Sequence, residues 1–129
     1  MTIQLPDVER RREWIQRVTA LVDQVQQWAT AEGWLVHRTE KQLHERLIGD
    51  YSVPTLQIRA PGGELFLKPI AFHIVGADGR VDLEAWPTLN RVKLVGRDGN
   101  WQIVTDSNVP LRKPWDSETF VELVRDLQS

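Results

Sequence analysis

The chain contains no cysteine, which excludes a disulfide framework and any thiolate metal site. No apolar run approaches the ~20 residues needed to cross a bilayer. The first residues, Met1 to Asp7, lack the basic and apolar regions of a secretory signal. A surplus of one charge is missing too. Charged residues make up 26% of the chain and the formal net charge is −2, a balance that argues against generic polyanion binding. These absences lead us to expect a cytoplasmic protein with no membrane and no nucleic acid among its partners. Tyrosine is nearly absent, with one residue against six tryptophans. Large aromatics dominate core and interface energies. Most of the six are therefore expected in the core, with one or two left to anchor a partner or ligand.

At 129 residues the chain has the size of one domain and buries enough surface to need no staple. Residues 1–129 are read as a single α+β domain. Residues 7 to 31 spell an amphipathic helix, because Trp14, Val18, Leu21, Val25 and Trp28 alternate spacings of four and three, with Ile15, Val22 and Ala29 widening the stripe. Asp7 is its expected N-cap and Gly33 its C-terminal stop. A shorter helix is expected at the C-terminus. Asp116 caps it, Trp115 and Phe120 staple it, and Phe120, Leu123, Val124 and Leu127 form its buried stripe.

Between the helices the pattern is an antiparallel meander of about five or six strands, with both helices packed on one face. Trp34 to Arg38 reads as a first strand. In residues 39 to 48, Thr39 with Gln42 matches a capping box, and Leu43 with Leu47 has helical spacing. A short helix is expected there, although Leu43, Glu45 and Leu47 also alternate. From Val53 to Thr105 the pattern is hairpins. The strand from Glu64 to Val75 changes phase at Lys68-Pro69-Ile70, which predicts a bulge. Asp78-Gly79 and Asp98-Gly99 are two-residue hairpin signals, and Pro87 to Asn90 is a third connection.

Turn chemistry sets register, so cross-strand partners follow. A tight Asp78-Gly79 loop places Ile74 across from Leu83, Phe72 across from Ala85 and His73 across from Glu84. The Pro87–Asn90 loop places Glu84 across from Lys93 and Trp86 across from Arg91. A tight Asp98-Gly99 loop places Leu94 across from Ile103, and Gly96 across from Trp101, whose ring would cover the bare glycine. All three registers give one apolar face. The other face carries a row of His73, Glu84 and Lys93, flanked by Asp82, Trp86 and Arg91 and extended by Arg59 and Gln57.

That polar face supports two readings. As a laced set of cross-strand ion pairs it is a binding surface, with Trp86, Arg91 and Lys93 as contact residues. As a site it offers His73 as a general base beside Glu84 and Asp82. No Ser or Cys nucleophile, phosphate-cradling loop or metal-ligand set stands out, and no cofactor or metal is expected. Asp82-x-Glu84 with Lys93 also lacks the acid-x-lysine spacing on one strand that metal-dependent nucleases use. His37 and His44 lie on either side of an uncertain element boundary and are not read as ligands. Glu40 and His44, at helical i, i+4 spacing, read as a surface pair. The Arg10-Arg11-Arg12 run is flanked by Glu9 and Glu13, as a solvated helix face is. The expected function is a non-enzymatic binding or regulatory module that meets a protein partner through this face. The alternative is a small enzyme or ligand-binding domain built on His73, Glu84 and Asp82. A third reading is a homodimer formed through apolar surface left over by the helix stripes.

Overall fold

Helix α1 spans Leu5–Ala31. It starts two residues before Asp7, so that carboxylate lies in the first turn rather than at the cap. Pro6 suits this earlier start, since a first-turn residue needs no amide hydrogen. Trp14, Val18, Leu21, Val22, Val25 and Ala29 are buried, and Ile15 and Trp28 pack half-buried beside them. The helix stops where Gly33 adopts φ +81°. There the Gly33 amide donates to Thr30 O at 2.9 Å and the Trp34 amide to Ala29 O at 3.0 Å, the paired bonds of a glycine C-terminus. The computed structural model describes residues 5–129 except Val75, without the side chains of Leu5 and Pro6. Val75, the end of the expected third strand, and residues 1–4 of the N-terminal reading lie outside the described residues.

Seven strands follow: β1 (Leu35–Glu45), β2 (Gly49–Ala60), β3 (Gly63–Ala71), β4 (Arg80–Trp86), β5 (Arg91–Arg97), β6 (Asn100–Thr105) and β7 (Pro110–Leu111). They form one antiparallel sheet in sequence order. The count exceeds the expected five or six because Pro110–Leu111 pairs with β6, while residues 39–45 lengthen β1 without adding a strand. Helix α2 (Ser117–Leu127) closes the chain. Asp116 caps it by accepting from the Thr119 amide at 2.8 Å, and Trp115 meets Phe120 edge-on at 6.1 Å. Both helices feed one hydrophobic core against the sheet.

Four expectations about the sheet are decided by its register. First, residues 39–48 are not helical. β1 pairs with β2 over eleven residues, from Leu35↔Arg59 to Glu45↔Gly49. Pairing with β2 overrides the local helical spacing, and Lys41, Leu43 and Glu45 alternate half-buried with exposed Gln42 and His44. Second, the phase break is present. The β3–β4 register shifts between Pro69 and Ala71, leaving Ile70 as the extra residue. Third, Asp98-Gly99 is the tight turn expected, with Arg97↔Asn100, Gly96↔Trp101 and Leu94↔Ile103 paired. The space over Gly96 is filled by the Arg17 guanidinium and the Asp78 carbonyl. Arg17 donates to that carbonyl at 3.0 Å and lies 5.1 Å from the Trp101 ring centre.

Fourth, Asp78-Gly79 is not the β3–β4 turn. The chain reverses between Ile74 and Ala77, which form an isolated bridge, with Gly76 at φ +76°. Asp78 and Gly79 instead run alongside β5, where the Asp78 amide donates to Gly96 O and the Gly96 amide to Gly79 O. Gly79 is needed for a different reason: a β-carbon there would lie inside the Trp14 ring. Leu67 therefore faces Leu83 and Phe66 faces Glu84, so the expected pairs Ile74–Leu83, Phe72–Ala85 and His73–Glu84 do not form. The β4–β5 loop also differs, by two residues. Glu84 pairs with Arg91 and Asp82 with Lys93. The wider loop lets Thr88 Oγ1 and Asn90 Nδ2 donate to Leu127 O at 2.6 and 2.9 Å, satisfying a carbonyl at the end of α2.

The first hairpin changes its buried face along its length. Leu56, Ile58 and Ala60 are buried near its base, Tyr51 and Val53 near its tip. The β1–β2 register has no shift to explain this. β2 pairs with β3 only from Leu56 onward, and a free two-stranded ribbon twists more strongly than a wide sheet. The twisted tip is fastened by one polar chain. Trp14 Nε1 donates to Tyr51 Oη at 3.0 Å, and Tyr51 donates to Glu45. The same carboxylate accepts the Phe72 and His73 amides at 3.0 and 3.1 Å. Burial first, and the Glu45 carboxylate second, push the Tyr51 hydroxyl above its ordinary pKa of 10.0.

Two measurements check these packing arguments. Gly79→Ala is expected to cost about 1–3 kcal/mol in urea denaturation, since it overpacks the Trp14 ring at a left-handed φ. The cost should shrink in a Trp14→Phe background, whose ring is smaller. Tyr51 is the only tyrosine, so tyrosinate absorbance reports it alone, and its midpoint is expected above 10.0. Its raised pKa contributes stability that is present below pH 10.0 and lost as pH rises through the folded value. Tyr51→Phe should remove that alkaline loss, and an equal loss in both proteins would refute the assignment.

Candidate functional site

On β3, β4 and β5 the residues facing away from the core are Glu64, Phe66 and Lys68; Arg80, Asp82, Glu84 and Trp86; and Arg91, Lys93, Val95 and Arg97. This face is charged, yet at its centre Asp82 is only 3% exposed. Its cross-strand neighbours are Lys68 on β3 and Lys93 on β5. Arg80 grips it with two bonds, Nε to Oδ1 at 2.7 Å and Nη2 to Oδ2 at 2.9 Å. Arg91 approaches to 3.6 Å and also holds Asp106 at 2.8 Å. That second carboxylate raises the Arg91 pKa, chiefly through its hydrogen bond. The Arg80 and Arg91 guanidinium groups thus meet on a carboxylate that is itself buried.

Glu84 contributes less to this cluster, with Lys68 3.5 Å away. Lys41 joins the cluster from β1, with Nζ donating to Pro69 O at 2.8 Å. Burial lowers its pKa, and the Lys68 charge lowers it further against the opposing pull of Asp82. Five cations, Lys41, Lys68, Arg80, Arg91 and Lys93, thus surround three carboxylates, Asp82, Glu84 and Asp106.

At one end of the face lies a pocket of about 300 Å³. Its lining includes Arg80, Lys93, Arg97 and Asn108 over buried Val95 and Val104. No carboxylate lines it. Arg80 is committed to Asp82. Lys93 donates to the neutral amide of Asn108 at 2.6 Å and has no ion-pair partner among the described residues. Arg97 has no ion-pair partner among the described residues. The pocket thus presents cationic ends above an apolar floor.

The expected site residues are brought together only in part. Asp82, Glu84, Arg91 and Lys93 share the face, because a two-residue register shift preserves which side each side chain takes. His73 is not among them. It lies past the end of β3, exposed, with its amide bound to Glu45. The row His73–Glu84–Lys93 is therefore replaced by Lys68–Asp82–Lys93, and the geometry assembles no His–carboxylate pair with Glu84. Trp86 is 53% exposed at the far end of β4, across from Glu64 rather than Arg91. His44 contacts Asp50 at 2.9 Å on the surface. Among the described residues no three histidines or carboxylates gather as a metal-ligand set.

Lys41, Lys68, Arg80, Arg97 and Asn108 were missed in the sequence. Arg80 was recoverable by parity with Asp82 and Glu84, and Lys68 by parity with Glu64 and Phe66. Lys41 and Asn108 arrive from distant segments and leave no local signal. No protein-family model, curated protein or solved structure matches the chain.

Asp82 and Glu84 make opposite predictions under the same assay. Asp82→Ala leaves Arg80 and Arg91 without their shared anion, and should cost about 2–4 kcal/mol in chemical denaturation. Glu84→Gln removes a partly exposed pair and should cost under about 1 kcal/mol.

Proposed function

We propose that the chain is a non-enzymatic binding module whose polar sheet face receives an acidic segment of a protein partner. The observation that carries this reading is the charge on that face. The chain as a whole has a net charge of −2, yet the face gathers five cations around three carboxylates, and its pocket holds Lys93 and Arg97 without a carboxylate. A charge surplus on one face steers an oppositely charged partner and sets its orientation. Val95 and Val104 give the seated side chain an apolar floor. Trp86, about 20 Å from Arg80 along β4 by strand rise, supplies a separate aromatic anchor at the other end.

Binding of a fluorescent oligoglutamate peptide, with oligolysine as control, tests the charge preference. The wild-type chain should bind oligoglutamate alone, and more weakly as salt is raised. Lys93→Glu with Arg97→Glu should weaken it about tenfold or more, while Trp86→Ala leaves this probe unaffected. Equal binding of both peptides, or an unaffected double variant, overturns the reading. So does tighter binding of a single-stranded oligonucleotide of matched charge.

A further inference from the structure

We infer that the outer edge of β1 pairs with the same edge of a second copy, antiparallel and centred on Thr39. The proposal goes beyond the partner-binding face and does not depend on it. β1 ends the sheet, so one side of an eleven-residue strand has no neighbour. Such an edge is normally blunted by a proline, a bulge, shortness or charged side chains, and of these β1 has only charges, of mixed sign. β1 has no proline, its register with β2 has no shift, and it is far longer than β7 at the opposite edge. Four consecutive residues at its middle, His37 to Glu40, are exposed.

The identity of the occupant follows from the sequence of the edge. An antiparallel pair of identical strands related by a two-fold axis at Thr39 sets Arg38 of each copy opposite Glu40 of the other. The same register sets Leu35, 67% exposed, opposite half-buried Leu43. Both opposite-charge pairs form at once, and directly opposed charges of unlike sign stabilise antiparallel pairs. A register centred one residue later opposes Arg38 to Gln42 and loses both ion pairs. Within one copy Arg38 already pairs with Asp23 at 2.7 Å and donates to Gln26 at 2.9 Å, so the Glu40 of a second copy joins an existing ion pair. Glu40 has no hydrogen-bond or ion-pair partner among the described residues, so its carboxylate is free to take the Arg38 of a second copy. The two seven-stranded sheets then become one continuous sheet with isologous contact.

Sedimentation velocity over a concentration series tests this. The wild-type chain should show a concentration-dependent monomer–dimer equilibrium. Glu40→Arg turns both attractive pairs into Arg–Arg pairs and should raise the dimer Kd about tenfold or more. Arg38→Glu should do the same through Glu–Glu pairs. Mixing the two single variants recreates both opposite-charge pairs across a heterodimer, and the doubly swapped chain recreates them in a homodimer. Both should therefore dimerise again. Thermal melts of each variant confirm folding, and Glu40→Arg, which breaks no bond within the chain, is the decisive single change. A wild-type chain monomeric at all concentrations overturns the proposal. A dimer indifferent to Glu40→Arg, or single variants that fail to pair when mixed, also overturns it.

Discussion

The indole of Trp14 touches four segments that are far apart in the chain. Its ring lies against Gly79 and packs 6.0 Å from both Phe72 and Trp101. Its Nε1 reaches Tyr51 at the hairpin tip. One side chain on α1 thereby sets where β4 begins, where the loop after β3 lies and how far the first hairpin curls. Nothing bulkier than hydrogen fits at residue 79 while that ring is in place. The Asp78-Gly79 dipeptide, which has the chemistry of a tight turn, is thus used as a close approach between helix and sheet.

This explains which parts of the fold were legible. The β5–β6 hairpin is readable residue by residue because its turn, Asp98-Gly99, has no competing use. The bulge at Ile70 is readable because a phase slip in a half-buried strand cannot be accommodated otherwise. α2 carries its cap, staple and stripe within a dozen residues. The β3–β4 register is not readable, because a contact between residues 14 and 79 decides between two glycine turns. Residues 39–45 present helical spacing locally and become strand only through β2. The candidate site inherits this division. Asp82, Glu84, Arg91 and Lys93 share a face by parity alone, which survives a slip of two. His73 depended on the one register that the helix overrules.

The polar face has an internal order that its composition does not reveal. Asp82 is buried, doubly bonded and shared between two arginines, so it is part of the scaffold rather than of the surface. While Asp82 holds Arg80 and draws in Arg91, Lys93 and Arg97 have no ion-pair partner among the described residues. The carboxylate that looks like a catalytic candidate in the sequence therefore organises the cations around it.

Trp14 and Gly79 are 65 positions apart (79 − 14), and that distance has a consequence for the order in which the chain acquires its structure. Closing so large a loop is slow compared with forming a two-residue turn. Before α1 docks, the segment from Phe72 to Gly79 contains two competent glycine turns, with only local chemistry to choose between them. The β5–β6 hairpin faces no such choice and suits the role of an early nucleus. Once the ring is docked, it excludes every register that would put a side chain beneath it.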